Sequence, residues 1–297
     1  MQIIELNRRT IRKMKKIELE AGNINTEGNL YLFEEKNKWH KEKKVYKELF
    51  HDIGHIFSNK LFTLNELIDN RELIGMEELV IPEKLAVVDN KVEGFVMPYI
   101  HNISFYSILN DQNISNHDKI RFFKEISEII KRMDNVRKNV IPDFYLNDLH
   151  EGNFIYNINT KRINVVDMDS CKINGNKPFV SKYLTPLSPI VDMPGKYAVH
   201  DEEANLGYII PDRNSDLYCF AVMVLNYLYK DRITRLSKEA YYLYLEYLIS
   251  IGLPMDFVSS LARIYEYKDN ENIGDYLYLL NDQIVNKARK DVFLKKK

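Results

Sequence analysis

The hydrophobic pattern of the chain changes near residue 100, and this change constrains the fold more than any other feature. Before residue 100, short apolar runs alternate with turns, which is typical of strands. Four such runs span residues 29–33, 44–50, 84–89 and 92–97. After residue 100, apolar residues recur at helical spacing. The sequence therefore predicts an α+β fold, with a small sheet-rich part over residues 1–99 and a larger helical part over residues 100–297.

Local signals place several elements more closely. Asp89-Asn90 separates two apolar runs and indicates a hairpin turn. Residues 58–70 show leucines at helical spacing, with Ser58 as a candidate N-cap. Further helices are predicted over residues 117–135, 214–230, 238–253 and 272–290. The second of these is apolar almost all round, so we expect it to be buried, with Asn214 and Ser215 as candidate caps.

Composition limits the classes of function. The formal net charge is -1, so no global basic field argues for a nucleic-acid partner. Cys171 and Cys219 are the only cysteines and form no CxxC pattern, which disfavours a disulfide framework or a cysteine metal site. The N-terminal residues lack the apolar core of a signal peptide, and the longest apolar run, residues 219–225, is far shorter than the roughly 20 residues of a membrane helix. We expect a cytoplasmic protein with no membrane partner.

Three oxygen-bearing side chains flank one predicted hairpin. The stretch YLNDLHEGN (145–153) precedes two apolar runs, 154–158 and 162–168, which a short turn joins. Such a hairpin would place Asn153 at the start of one strand, Asp167 at the end of the other, and Asp148 on the loop before. Two carboxylates and an amide oxygen suit a hard cation such as Mg²⁺. The remaining carboxylate could accept a proton from an attacking hydroxyl, which is the division of labour in phosphoryl transfer.

The pattern D-L-H-x-G-N, then a strand pair, then V-D-x-D, resembles the catalytic core of the protein-kinase-like superfamily. The resemblance extends over most of the chain and implies a bilobal fold, with a small antiparallel β-sheet lobe above a helical lobe and Mg-ATP between them. It implies that Asp148 is the catalytic base and that Asn153 and Asp167 bind the metal. Asp169 stands where protein kinases have a glycine, and it could help to hold the metal or face solvent.

The resemblance also implies residues that cover the nucleotide. Gly22 and Gly28 stand where the family has a glycine-rich loop over the phosphates, although the usual three-glycine pattern is absent. Residues 94–100, GFVMPYI, resemble the last strand of the small lobe and the hinge that follows it. The backbone of Met97–Tyr99 would then hydrogen-bond to adenine, with Met97 or a neighbour packing on the ring.

A lysine and its acidic partner complete the implied nucleotide site. Lys47 resembles the strand lysine that contacts the α- and β-phosphates, with Lys41 as its rival in this lysine-rich stretch. The family pairs this lysine with a carboxylate on the following helix. Glu66 is placed like that partner, and Glu72 is the alternative.

Two features indicate different hydroxyl acceptors. His150 gives the loop the form found in aminoglycoside and choline phosphotransferases, which act on small molecules. Asp216 resembles the protein-kinase aspartate that anchors the catalytic-loop backbone, and residues 172–212 could shape a peptide site or close over a small substrate. We favour a Ser/Thr protein kinase over a small-molecule kinase. The imperfect glycine loop also leaves a nucleotide-binding pseudokinase module as an alternative.

Overall fold

The computed structural model describes residues 2–18, 28–36, 41–49, 54–176, 198–201, 206–209, 211–268 and 272–289. Within these ranges the fold is α+β, as predicted. A six-stranded sheet is built from strands that all precede residue 99, and helices dominate after residue 104. No helix in the described ranges is long and apolar enough to cross a bilayer.

The six strands of the main sheet are β1 (Ile3–Leu6), β2 (Lys15–Lys16), β3 (Gly28–Lys36), β4 (Lys41–Leu49), β5 (Lys84–Val88) and β6 (Lys91–Pro98). Their order is β1-β5-β6-β4-β3-β2. The predicted antiparallel pairing holds for five strands, but β1 pairs with β5 in parallel. This pairing escapes local sequence patterns, because it joins residues about eighty positions apart through a long connection.

The turn between β5 and β6 is the predicted hairpin. Asp89 and Asn90 have φ values of 49° and 65°. Positive φ at both central residues is the geometry of a type I′ turn, which matches the twist of the flanking strands. Asp and Asn tolerate this conformation better than most residues, so the two-residue connection is encoded locally.

One long helix packs on the main sheet. Helix α1 (Arg8–Ile11) is short, whereas α2 (Gly54–Asp69) spans four turns and is followed by α3 (Arg71–Ile74). The prediction of Ser58 as the N-cap is wrong, because Ser58 lies inside α2. Phe57 packs with the buried cluster of Leu64 and Phe95 between helix and sheet, so the helix continues one turn further towards its N-terminus.

The helical part is built around two buried helices. Its helices are α4 (Phe105–Asn110), α5 (Asn116–Asn139), α6 (Arg213–Tyr229), α7 (Lys238–Ser250), α8 (Met255–Tyr265) and α9 (Asp282–Ala288). The predicted apolar face of α5 is confirmed, since Ile120, Phe123, Ile126 and Ile130 are all buried. The prediction that α6 is a buried helix is confirmed too, as Leu217–Leu225 is buried throughout.

Two helix boundaries differ from the sequence prediction. Asp212, rather than Asn214 or Ser215, caps α6, because its carboxylate accepts the Ser215 N–H at 3.0 Å while the Ser215 hydroxyl accepts the Asp212 N–H at 2.9 Å. The predicted helix over residues 272–290 is two elements, a 3₁₀ helix (Ile273–Leu279) and α9. Asn281 separates them, since its side chain accepts the Ile284 N–H and starts a new helix.

Smaller sheets complete the helical part. Strand β7 (Asn102–Ser104) pairs with β8 (Phe154–Asn157), and β8 pairs with β9 (Arg162–Val165). A separate ribbon joins β10 (Ala198–Asp201) and β11 (Leu206–Ile209). Phe154 and Val165 belong to the large apolar cluster that α5 and α6 also form, so the β8–β9 hairpin is seated on the core.

Candidate active site

The β8–β9 hairpin brings Asn153 and Asp167 to the same open end. Phe154 is directly opposite Val165, and the Val166 N–H donates to the Asn153 carbonyl at 2.9 Å. Strand β9 ends at Val165, earlier than predicted, because Asp167 adopts a left-handed conformation with φ 63° and ψ 43°. Asp tolerates this conformation, which turns the chain into a single 3₁₀ turn at Met168–Ser170.

The loop before the hairpin places Asp148 beside Asn153. The Asn153 side-chain Nδ2 donates to the Asp148 carbonyl at 2.8 Å and to its Oδ2 at 3.3 Å. Because the amide nitrogen is used in this way, Oδ1 is the atom of Asn153 suited to bind a cation. His150 Nδ1 accepts the Gly152 N–H at 3.0 Å, and its Nε2 lies 3.7 Å from Asp148 Oδ2.

Asp216 at the start of α6 holds the backbone of this loop. Its carboxylate accepts the N–H of Leu146 at 3.2 Å and of Asn147 at 2.9 Å, and Arg137 Nη1 lies 3.6 Å away. Burial raises the pKa of Asp216 to about 6, and the Arg137 charge and the two N–H bonds offset this only in part. The contact is the one that the resemblance implied, so the residue before Asp148 is fixed from the core.

Two buried thiols add to this support. Cys171 Sγ donates to the Leu146 carbonyl at 3.7 Å, and Cys219 Sγ donates to the Asn147 carbonyl at 3.8 Å. Each is a weak donor, and the Leu146 carbonyl also accepts the Asp148 N–H at 2.7 Å. The backbone at residues 146–147 is thus bonded at its N–H groups by Asp216 and at its carbonyl groups by the two cysteines.

Lys47 reaches this end of the hairpin from strand β4. Its buried ammonium contacts the Asp167 carboxylate and lies 3.0 Å from Asp169 Oδ1. The rival Lys41 is at the start of the same strand. It is exposed, and its Nζ lies 3.8 Å from the Glu34 carboxylate on β3. The geometry therefore favours Lys47 over Lys41 as the lysine that faces the two aspartates.

Lys60 on helix α2 is a second cation at the site, and our sequence analysis missed it. Its Nζ lies 2.7 Å from Asp169 Oδ2. A signal was present in the sequence, because Lys60 falls on the same helical face as Leu64 and Leu67, which are fully buried. A lysine in an apolar stripe indicates a buried charge that needs a partner.

Asp167 and Asp169 differ in exposure and in pKa. The Asp169 side chain is fully buried, whereas Asp167 exposes 33% of its surface, so the alternative in which Asp169 faces solvent is wrong. Burial by itself would raise the pKa of Asp169, but the Lys47 and Lys60 ammonium groups outweigh it and hold that pKa below its usual value. Burial and the neighbouring Asp169 charge raise the pKa of Asp167 despite Lys47.

The two glutamates considered as partners of Lys47 lie elsewhere on the helices. Glu66 is about 120° around α2 from Lys60, given 100° per residue, and its carboxylate accepts a hydrogen bond from the Asn174 side chain. Glu72 is exposed in the first turn of α3. The structure thus brings Asp167, Asp169 and Lys60 to Lys47, and it places Glu66 against the segment that follows Asp169.

The residues predicted to cover the nucleotide are only partly described. Gly22 lies outside the described residues. Met97 pairs with Val45 across the sheet and packs in the cluster beneath α2, and the Tyr99 N–H donates to the Lys43 carbonyl at 3.3 Å. The end of β6 is therefore held by β4, and adenine contact at Met97–Tyr99 stays a prediction.

Gly28 begins β3 and lies unusually close to β4. A Cβ built on Gly28 would lie 2.0 Å from the Glu48 carbonyl oxygen. We expect Gly28→Ala to lower the free energy of unfolding by about 1–3 kcal/mol, because the two strands would have to separate. Urea unfolding would measure this loss. Gly94→Ala tests the same argument at a second position, because its Cβ would lie 2.0 Å from the Lys47 carbonyl oxygen. It should lower the free energy of unfolding by a similar amount. A Gly28→Ala protein as stable as wild type would contradict the argument.

The donor set suits Mg²⁺ only if a ligand supplies further oxygens. In the described ranges no group of three or more His, Cys, Asp or Glu side chains is placed to hold a metal ion. Mg²⁺ typically takes one or two protein carboxylates together with phosphates and water, so Asn153 Oδ1 and Asp167 are a chemically reasonable pair for it.

Comparison with protein-family models and with curated protein sequences finds no match to this chain. The function therefore has to be argued from the arrangement of these side chains.

Proposed function

We propose that this protein is an ATP- and Mg²⁺-dependent phosphotransferase with a bilobal protein-kinase-like fold, acting on a hydroxyl group. One observation carries the proposal: the open end of the β8–β9 hairpin gathers Asp148, Asn153 and Asp167, and a buried lysine from the sheet meets it there. A base, oxygens that bind a metal ion and a cation that contacts the phosphates are the parts that phosphoryl transfer needs.

The role of each residue follows from its contacts. Asn153 Oδ1 and Asp167 would hold Mg²⁺, which when bound neutralises charge on the phosphates. Lys47 would exchange its contact with Asp167 for the α- and β-phosphates, since Asp167 is the more exposed of its two carboxylate partners. Asp148 would orient the acceptor hydroxyl and take its proton, and the Asn153 amide keeps the Asp148 carboxylate in place.

Protein Ser/Thr side chains are the acceptors that we favour. The support is the Asp216 contact with the loop backbone, which is the feature by which the chain resembles protein kinases. A small alcohol is the second candidate, because His150 lies beside Asp148 as part of a loop that resembles small-molecule phosphotransferases.

Purified protein with labelled ATP, Mg²⁺ and a panel of acceptors tests the proposal. The panel should include unfolded protein substrates, choline and aminoglycosides. We expect label on protein serine or threonine, and label only on a small alcohol would favour the second candidate. Equal background turnover by wild type and Asp148→Ala, with nucleotide still bound, would support the pseudokinase alternative instead.

The metal assignment has its own prediction. We expect Asp167→Ala to weaken Mg²⁺-dependent ATP binding by at least roughly tenfold, because one of two protein ligands is lost. Titration of a fluorescent ATP analogue with Mg²⁺ and with EDTA would show this, since the difference between the two conditions should shrink in the variant. Asp275→Ala, which removes an exposed carboxylate far along the chain, is the control. Unchanged Mg²⁺ dependence in Asp167→Ala would refute the assignment.

A further inference from the structure

Two carboxylates share the Lys47 ammonium, and they differ in what else can reach them. Asp167 is partly exposed, and it is the carboxylate to which the proposed function gives a metal ion. Asp169 is sealed from solvent, and both of its oxygens face Lys47, at 3.0 and 3.2 Å. A carboxylate that solvent cannot reach, and that already accepts from two ammonium groups, is poorly suited to bind a hydrated cation.

Asp169 is held in place independently of Lys47. Lys60 donates to its Oδ2 at 2.7 Å, and the position of Lys60 is fixed because its helix α2 buries Leu64 and Leu67. The same helix contacts the segment after Asp169, since the Asn176 side chain donates to Thr63 Oγ1 at 2.5 Å. Asp169 is therefore bonded to helix α2 through Lys60 as well as to strand β4 through Lys47.

The charges of the cluster show what Lys60 contributes. Lys47 and Lys60 carry two positive charges against the carboxylates of Asp167 and Asp169, so the group of four has no net charge when both carboxylates are ionised. With Lys47 alone, the two carboxylates would leave an excess negative charge beside the buried Asp169, which is costly and would repel phosphate. Lys60 removes that excess charge from helix α2, whereas Lys47 comes from strand β4.

We propose that Asp169 is the positioning residue for Lys47 in the nucleotide-bound protein, with Lys60 fixing Asp169. This inference rests on the proposed function. An ammonium group has three donors, so Lys47 can keep one bond to Asp169 and direct the others to phosphate oxygens when Asp167 turns to the metal. The carboxylate that orients the nucleotide lysine then comes from the segment after the metal-binding residue, and helix α2 contributes a cation in place of an acid.

The test compares ligands with and without phosphates. We expect Asp169→Asn to weaken binding of Mg-ATP and Mg-ADP by about 10- to 100-fold, the usual effect of losing one charged hydrogen bond. Binding of adenosine, which lacks phosphates, should not change. Lys47→Met should cause a similar loss, and the double variant Lys47→Met/Asp169→Asn should bind Mg-ATP no more weakly than Lys47→Met alone, because both changes act through one ammonium group.

Two further variants keep the test valid if Asp169→Asn, which removes the carboxylate facing the buried Lys60 ammonium, does not fold. Lys60→Met/Asp169→Asn removes one charge of each sign, keeps the cluster balanced, and should show the same selective loss of ATP and ADP binding. Glu78→Gln is the matched control, since Glu78 is a buried carboxylate that pairs with Arg132 at 2.7 Å, and its ATP affinity should equal that of wild type.

The outcomes separate this inference from the proposed function. If wild type binds Mg-ATP no better than adenosine, the proposed function fails and the inference with it. If Lys47→Met weakens ATP binding while both Asp169 variants bind ATP like wild type, the proposed function stands and the role of Asp169 is refuted. A readout without nucleotide is also available: urea unfolding of the Lys47 and Asp169 single and double variants should show that the two changes are not additive.

Discussion

Asp148→Asn is expected to lower kcat for phosphoryl transfer by about 10²- to 10⁴-fold, the usual contribution of a general base. The amide keeps the shape of the side chain and can still accept the bond from Asn153 Nδ2, which lies 3.3 Å from Asp148 Oδ2. It cannot take a proton from the acceptor hydroxyl. Because Asp148 is not assigned a contact with the nucleotide, the dissociation constant for Mg-ATP should stay close to that of wild type.

Steady-state kinetics and nucleotide titration on the same preparation would check this separation. Glu151→Gln is a suitable control, because it removes one negative charge three residues further along the same loop and should leave kcat within a few-fold of wild type. A kcat for Asp148→Asn equal to that of wild type would exclude Asp148 as the base. A parallel loss of ATP affinity would instead indicate that the loop has moved.

Asp216→Ala is expected to lower the free energy of unfolding at pH 7 by about 2–4 kcal/mol, because it leaves two buried N–H groups without an acceptor at about 1–3 kcal/mol each. These are the N–H groups of Leu146 and Asn147, which donate to the Asp216 carboxylate in the wild-type protein. Arg137 keeps its ion pair with Asp134 at 2.6 Å, so its charge retains a partner in the variant. Urea unfolding would measure the loss, and Asp216→Asn, which retains an acceptor oxygen, should lose less.

The loss of stability caused by Asp216→Ala should depend on pH. Burial raises the pKa of Asp216 to about 6 in the folded protein, from 3.8 as the ordinary value. The native state then binds the proton more tightly than the unfolded chain, so the stability that Asp216 contributes is greatest below about pH 4 and falls as the pH rises to 6.

We therefore expect the loss caused by Asp216→Ala to be larger at pH 5 than at pH 7, by on the order of 1 kcal/mol. Unfolding free energies of the wild type and the Ala variant at both pH values give this difference. Asp216→Asn cannot titrate and should show the same pH response as the Ala variant. A loss that shrinks on acidification would mean that the folded protein holds Asp216 below its ordinary pKa.

The sequence was most informative where the relevant contacts are local. The β8–β9 hairpin, the turn at Asp89-Asn90 and the buried face of α5 all depend on residues within a few positions of each other, and all three were predicted. Asn153 and Asp167 could be placed at one end of a hairpin because register in a short two-stranded unit follows from its turn.

The features that were missed depend on distant residues. The parallel pairing of β1 with β5 and the contact of Lys60 with Asp169 join positions that no local pattern relates. The rule that a helix carboxylate pairs with the strand lysine favours Glu66, and it gives no reason to consider a lysine on the same helix. The prediction of Ser58 as a cap fails because α2 is extended by the packing of Phe57 against the sheet, which no local pattern shows.

The support of the Asp148 loop by α6 has a consequence for biosynthesis. Asp216 accepts from N–H groups that lie 69 and 70 positions earlier in the chain. At translation rates of about 5–20 residues per second, the loop would leave the ribosome roughly 4–14 seconds before the residue that secures it. A polypeptide that ends after Cys171 but before Asp216 would carry Asp148, Asn153 and Asp167 while the Leu146 and Asn147 N–H groups lack their acceptor, so premature termination there should give no partial activity.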